Sequence, residues 1–138
     1  MINLNQLDEI QAILENSSSI AIAGLSPKPE RPSNMVARYL LDAGYSVYPV
    51  NPGQSTILNQ KCYPDLLSIP AAIDIVNIFR NPEHVIPIVE QAVVIGCSTV
   101  WMQLGITHLD AANLARDNSI NVIMDRCIKI DHNTLLRN

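Results

Sequence analysis

Ser19-Ile20-Ala21-Ile22-Ala23-Gly24-Leu25-Ser26, continued by Pro27-Lys28-Pro29-Glu30-Arg31-Pro32-Ser33, decides how the rest of the chain is read. A short run that is apolar on both faces and bounded by turn residues suits a strand buried inside a parallel sheet. The segment after Gly24 is polar and proline-rich, and it leads into helical spacing at Met35, Val36, Tyr39, Leu40 and Leu41, with Gly44 suited to the position just past a helix end. Upstream, Leu4, Leu7, Ile10, Ile13 and Leu14 recur at helical spacing and stop at the Asn16 to Ser19 cluster, so residues 1–18 read as a helix and its connector.

The same alternation continues downstream. Strands are predicted over residues 46–50, 74–79, 99–103 and 121–124, and helices over 82–95 and 108–117, with a final turn or short helix over 132–137. Pro82 suits a first helical turn, Pro87 signals a later start or a bend, and Gly96 closes that helix. The stretch between the second and third strands, with Pro52, Gly53, Pro64 and Pro70, reads as loop. Strands separated by single helices require right-handed crossovers with helices on both faces. The expected fold is α/β: one Rossmann-like domain over residues 1–138 with a mainly parallel five-stranded sheet.

Composition agrees. The chain has 138 residues, 48% of them hydrophobic and 16% charged, with a net charge of −4. That size supports a core without disulfide or metal staples. Mild acidity without a basic cluster gives no support for nucleic acid or an anionic membrane as a partner, so an anionic ligand must be met by a local arrangement. Residues 1–15 carry Asp8, Glu9 and Glu15 and no basic residue, unlike a targeting segment, and a cytoplasmic location is expected. Residues 91–109 lack charge, but Gln91, Ser98, Thr99, Gln103, Thr107 and two glycines interrupt them, which argues against a membrane span. Cys62, Cys97 and Cys127 are odd in number and widely spaced, as in reduced proteins.

In a sheet of this kind ligands bind beyond the carboxyl ends of the strands, where the strand order reverses. The loop after the first strand is therefore the expected phosphate site. Gly24 allows close backbone approach, Ser26 offers a hydroxyl, Ser33 is a candidate helix cap, and Lys28 and Arg31 add charge. The dinucleotide fingerprint is nevertheless broken, since Ser26 and Pro29 stand where its second and third glycines belong. The second strand also ends Tyr48-Pro49-Val50-Asn51-Pro52, with no carboxylate to grip an adenosine ribose.

Five motifs in order carry a resemblance: Gly24-Leu25-Ser26-Pro27-Lys28-Pro29-Glu30-Arg31, Tyr48-Pro49-Val50-Asn51-Pro52, Phe79-Arg80-Asn81-Pro82-Glu83, Val100-Trp101-Met102-Gln103-Leu104-Gly105 and Asp125-Arg126-Cys127. Spanning residues 19–132, the chain resembles the small stand-alone CoA-binding proteins, which are themselves similar to the CoA-binding domain of the succinyl-CoA synthetase α subunit. The resemblance implies a coenzyme A or acyl-CoA ligand. It assigns the CoA phosphates to the first loop and the adenine end to Asn51 and Pro52. Phe79, Arg80, Asn81 and Pro82 would border the nucleotide or pantetheine, with Gln103, Gly105, Arg126 and Cys127 on the same edge. Lys28, Arg31, Arg80 and Arg126 would then supply counter-charge, whereas Arg38, inside a helix, reads as solvated.

Catalysis has less support. The synthetases use a histidine on a separate domain, which this chain is not expected to contain, and His84, His108 and His132 have no metal-motif partner and read as surface or capping residues. Cys62, in the long loop, and Cys127, beside Arg126, are candidates for a mixed disulfide with the CoA thiol or are inert; Cys97 reads as buried. Trp101 and Tyr48 read as core aromatics, Phe79 as a ring that could shelter the ligand, and Asp125 as a capping, salt-bridging or functional carboxylate. The expected function is a binding module without complete catalytic machinery. The alternative is a nucleotide-dependent enzyme or a subunit of an acyl-CoA ligase that needs a partner chain, and a homodimer or protein partner is compatible with either.

Overall fold

The computed structural model describes residues 4–137; residues 1–3 of the N-terminal segment read above lie outside them. The elements run α1 (Leu4–Asn16), β1 (Ser19–Ala23), α2 (Pro32–Asp42), β2 (Ser46–Val50), β3 (Thr56–Ile57), β4 (Gln60–Lys61), β5 (Ile75–Ile78), a 3-10 turn (Pro82–His84), α3 (Val85–Ile95), β6 (Thr99–Met102), α4 (Leu109–Asp117), β7 (Asn121–Ile123) and α5 (Ile128–Leu136). Five strands form one parallel sheet in the order β2-β1-β5-β6-β7. The chain leaves β1 towards β2 on one side and returns to β5 on the other, so the order reverses between β1 and β5. This is the Rossmann-like α/β arrangement the alternation predicts, and it sets the crevice at the carboxyl ends of those two strands.

Side chains alternate across the strands as the pleat requires. Ile20 and Ile22 of β1, Ile75 of β5 and Trp101 of β6 join a core with Ile10 and Leu14 of α1, Val36 and Leu40 of α2, and Ile128 of α5. Ala21, Val76, Ile78, Val100 and Met102 face the other way, onto Val85, Val89 and Ala92 of α3 and the alanines of α4. Each large side chain withdrawn from water contributes about 1.5–3 kcal/mol. Helices therefore cover both faces, with α1, α2 and α5 on one and α3 and α4 on the other.

Three details depart from the sequence reading. The segment after β2 is not all loop: β3 and β4 make an antiparallel hairpin, turned by Leu58 (φ 53°) and Asn59 (φ 60°). Two successive left-handed residues are what a tight hairpin needs, but Leu-Asn lacks the glycine by which such turns are read. The helix expected from Pro82 begins as a 3-10 turn, and α3 starts only at Val85. Pro87 thus falls in the first turn, where its missing N–H breaks no helical bond. The last helix begins at Ile128 rather than near His132, because Asp131 and His132 are buried on it and blur its apolar stripe. Residues 91–109 divide among α3, β6, the start of α4 and the turns around them, in line with the reading against a span, and no helix among the described residues is long and apolar enough to cross a membrane.

Candidate functional site

The corner after β1 is fixed by the sheet itself. Gly24 N–H donates to the Val50 carbonyl of β2 at 3.0 Å, and Phe79 N–H donates to Ala23 at 2.8 Å. Gly24 has φ +89°, and a Cβ placed on it would lie 2.4 Å from the Phe79 carbonyl oxygen and 2.8 Å from Arg80 Cδ. Only glycine fits such an approach, for reasons of space and of backbone conformation together. The requirement comes from β5 and not from a neighbour in sequence.

Beyond Gly24 the loop is braced from within. Ser26 N–H donates to Ser33 Oγ at 3.0 Å, Lys28 N–H to Ser26 Oγ at 3.1 Å, and Arg31 N–H to the Lys28 carbonyl at 3.1 Å. Asn34 Nδ2 reaches the Ser26 carbonyl at 2.9 Å, and Arg38 Nη2 the Pro29 carbonyl at 2.8 Å. Arg38, read from sequence as merely solvated, fastens this loop. These bonds occupy the backbone amides of Ser26, Lys28 and Arg31. They leave the Ser26 hydroxyl hydrogen and the exposed Pro27, Lys28 and Arg31 side chains outward. The N-terminus of α2 has Arg31 as its cap residue with no side-chain cap, so the positive helix end is not neutralised by its own side chains.

Asn51 ties the second loop to the first, with Nδ2 donating to the Leu25 carbonyl at 3.0 Å and Oδ1 accepting from Gly53 N–H at 2.9 Å. Behind it, Tyr63 bridges to Val50 and covers the outer edge of β2. A small cleft of about 140 Å³ opens here, lined among others by Gly24, Val50, Pro52 and Arg80. A second, mainly apolar cleft of about 500 Å³ lies on the α2 and α5 side, lined by Met35, Phe79, Arg80, Asn81, Gln103, Leu104, Cys127, Lys129 and Ile130 among others. Arg80, half-buried, borders both. A guanidinium between two largely apolar recesses, the smaller of which also carries Asp65, can hold a ligand that is anionic where it meets the arginine and apolar beyond it.

The floor of the larger cleft is a chain of amides. Asn77, fully buried on β5, donates through Nδ2 to the Trp101 carbonyl and to Gln103 Oε1, each at 3.3 Å. Gln103 Oε1 also accepts from Ile128 N–H at 3.4 Å. Asn77 Oδ1 and Asn34 Oδ1 are buried without a partner, a state that ordinarily costs about 1–3 kcal/mol each. Sequence reasoning passes over Asn34, Asn77 and Lys129, because an asparagine inside an apolar strand or helix gives no pattern of its own.

Several expectations need correction. Leu25 is fully buried in the core, so only its backbone belongs to the loop. Ser33 does not cap α2; it is the second helical residue, buried, and its hydroxyl holds Ser26. Gly105 N–H is taken by Asp125 Oδ1 at 2.6 Å, which makes Asp125 a strut between two loops. Arg126 is not free counter-charge: it forms a two-pronged ion pair with buried Asp131 at 2.7 and 2.8 Å, which pushes its pKa up. Its side chain borders a different depression of about 630 Å³ between α1 and β7. Exposed Pro82 opens the 3-10 turn beside the larger cleft but does not line it.

Cys62 is buried, not accessible, and burial raises its thiol pKa. Cys97 is buried as expected, its pKa raised to about 11 by desolvation. Cys127 is half-buried and faces the larger cleft. Among the histidines, His108 caps α4 by accepting Ala111 N–H at 3.1 Å, as the capping reading has it, and His84 is exposed. His132 is the exception: it is buried, its Nδ1 lies 2.9 Å from the Tyr39 hydroxyl, and desolvation lowers its pKa. Trp101 fills the core, with its indole N–H on the Arg126 carbonyl at 2.8 Å.

Comparison with known proteins agrees with this architecture. The uncharacterized protein YneT of Bacillus subtilis (strain 168) is 39% identical over 124 residues, covering 90% of this chain and 92% of that one. The solved structure of a hypothetical protein from Pyrococcus horikoshii OT3 superposes with a TM-score of 0.92 at 40% identity, covering 94% of this chain and 92% of that one. The ADP-forming acetate–CoA ligase II of Archaeoglobus fulgidus is 36% identical over 71 residues, which are 50% of this chain but 10% of the ligase. The family model described as a CoA binding domain matches residues 18–133, a span that contains the corner at Gly24, both clefts and the amide floor, and the chain belongs to that family.

Proposed function

We propose that this protein binds coenzyme A or an acyl-CoA across the carboxyl edge of its sheet, as a binding module that supplies no acid–base or nucleophilic step of its own. The observation that carries this reading is the contact of Gly24 with Phe79 and Arg80, which holds one guanidinium between a small recess and an apolar cleft. In this reading the pyrophosphate lies along the loop bearing Ser26, Lys28 and Arg31, the adenine end reaches Pro52, and the thiol-bearing arm runs past Phe79 towards Gln103 and Cys127. Charge-assisted bonds from arginine to phosphate are the strong members of such a set. No described histidine lines either cleft.

Calorimetric titration with CoA, dephospho-CoA, NAD and ATP tests it. CoA is expected to bind most tightly, and at a hundred times its Kd to stabilise the fold by about 2.7 kcal/mol. Arg80→Ala should weaken CoA by about tenfold or more with Tm unchanged. Tighter binding of NAD than of CoA would sink the proposal. A second reading, a subunit of an acyl-CoA ligase, is favoured by the similarity to the acetate–CoA ligases. It expects acyl-CoA turnover only when a second chain is supplied.

A further inference from the structure

We infer that Gln103 is a specificity residue whose side-chain N–H donates to a carbonyl oxygen on the thiol-bearing arm of the ligand. This rests on the proposed CoA site and assigns the chemistry at the wall of its larger cleft. The orientation of the Gln103 amide follows from groups that have no choice. Ile128 N–H can only donate, and the Trp101 carbonyl can only accept. The relay therefore runs from Asn77 Nδ2 to Trp101 O and to Gln103 Oε1, and from Ile128 N to the same Oε1. Both donors converge on the oxygen, and Nε2 is turned the other way.

On that side lies the apolar cleft, of whose wall Gln103 is part. Gln103 is 6% exposed, yet no acceptor among the described residues takes Nε2, and Nε2 is not among the fully buried orphan atoms. A nearly buried donor on a residue of the cleft wall, its amide oriented by two bonds to the oxygen, is pre-organised for one kind of partner. The rest of the mouth sets that kind: Met35 (43% exposed), Leu104 (62%) and Ile130 (57%) are apolar and open there, and Cys127 sits beside them. The charged groups, Arg80 and Lys129, line the same cleft and serve an anionic portion. An uncharged acceptor on an otherwise apolar arm, an amide or a thioester carbonyl, meets these terms.

The test uses the intact chain and its isosteric variant Gln103→Glu, which keeps an oxygen for Asn77 and Ile128 but turns a second oxygen towards the ligand. CoA, acetyl-CoA and S-ethyl-CoA are titrated, the last being a thioether without the acyl carbonyl. The variant should keep the wild-type Tm and lose at least tenfold in affinity. Loss for all three ligands assigns Nε2 to a pantetheine amide. Loss confined to acetyl-CoA, with wild type preferring acetyl-CoA over S-ethyl-CoA, assigns it to the thioester. In the unmutated protein the Gln103 side-chain amide resonances should move when ligand is added. Affinities within twofold of wild type, or unmoved resonances at saturation, overturn the inference while leaving CoA binding intact. If the wild type binds no CoA at all, the broader proposal fails and this one falls with it.

Discussion

The two ends of the sheet treat their polar groups differently. At the amino end Asp74 accepts Ser18 N–H at 2.8 Å, Ser19 N–H at 3.2 Å and the Ser18 hydroxyl at 3.2 Å, while the Ser19 hydroxyl donates to Ala72 and accepts from Asp74 N–H. The Asp74 carbonyl in turn takes Ser98 and Thr99 N–H. Donors and acceptors close on one another, and the Ser18 amide holds the Asp74 carboxyl below its usual pKa. At the carboxyl end Asn34 Oδ1 and Asn77 Oδ1 are orphaned, Gln103 lines a cleft, and Arg80 borders two. Thr99 Oγ1 is an orphan at the amino end, and like Asn34 and Asn77 it lines none of the clefts. One end spends its polarity on holding strands in register, and the other leaves some of it for a ligand.

Substitutions at the two ends should therefore separate stability from binding. The largest effect is expected for Gly24→Ala, where a methyl group meets the Phe79 carbonyl in a left-handed backbone. It should cost about 3 kcal/mol or more, lower Tm by several degrees, and abolish CoA binding in calorimetry. Gly96→Ala, also at positive φ but with open space around it, should cost only about 1 kcal/mol and leave binding alone. Next is Asp74→Ala, which strands the Ser18 and Ser19 amides. A loss of about 1–3 kcal/mol in chemical denaturation with unchanged CoA affinity is expected, and altered affinity would break the contrast between the ends.

Arg31→Ala and Ser26→Ala act in the opposite sense. Arg31 is exposed and pairs with no described carboxylate, so its loss should weaken CoA by about two- to fivefold without moving Tm. Ser26→Ala removes the acceptor for Lys28 N–H and should loosen the loop by a similar amount. The smallest effect is a pH slope. Burial and Arg137 both disfavour the charged form of His132, so its folded pKa lies below the unfolded value. The associated stability is present above the unfolded pKa, near 6.5, and is lost as pH falls from there through the lower folded pKa. Thermal melts between pH 7.5 and about 5 should show that decline in wild type and less of it in His132→Gln, with CoA affinity unaffected by the substitution.

How much of this was legible beforehand differs between fold and site. The signals of β1, β5 and β6 are strong because those strands are buried on both faces, and those of α2 and α3 because each helix buries one face. The hairpin at Leu58 and Asn59 and the start of α5 were missed because their residues contradict local preference and are held by tertiary contacts. Within the site, Gly24, Phe79, Arg80, Gln103 and Cys127 do meet around the two clefts. The pairing of Arg126 is not legible in sequence, because its partner, Asp131, lies one helical turn into an element that the pattern conceals.

Sequence alone was enough for the alternation of strands and helices and the parallel sheet, which follow from hydrophobic period and the handedness of crossovers, and it puts the expected ligand edge at the carboxyl ends of the strands. Tertiary structure decided which polar atoms face that edge unpaired. Whether Ser33, Asn51, Gln103 or Arg126 is spent inside the fold or left available depends on partners 5 to 26 residues away, and hydrogen-bond satisfaction is a property of the packed molecule, which no local pattern contains.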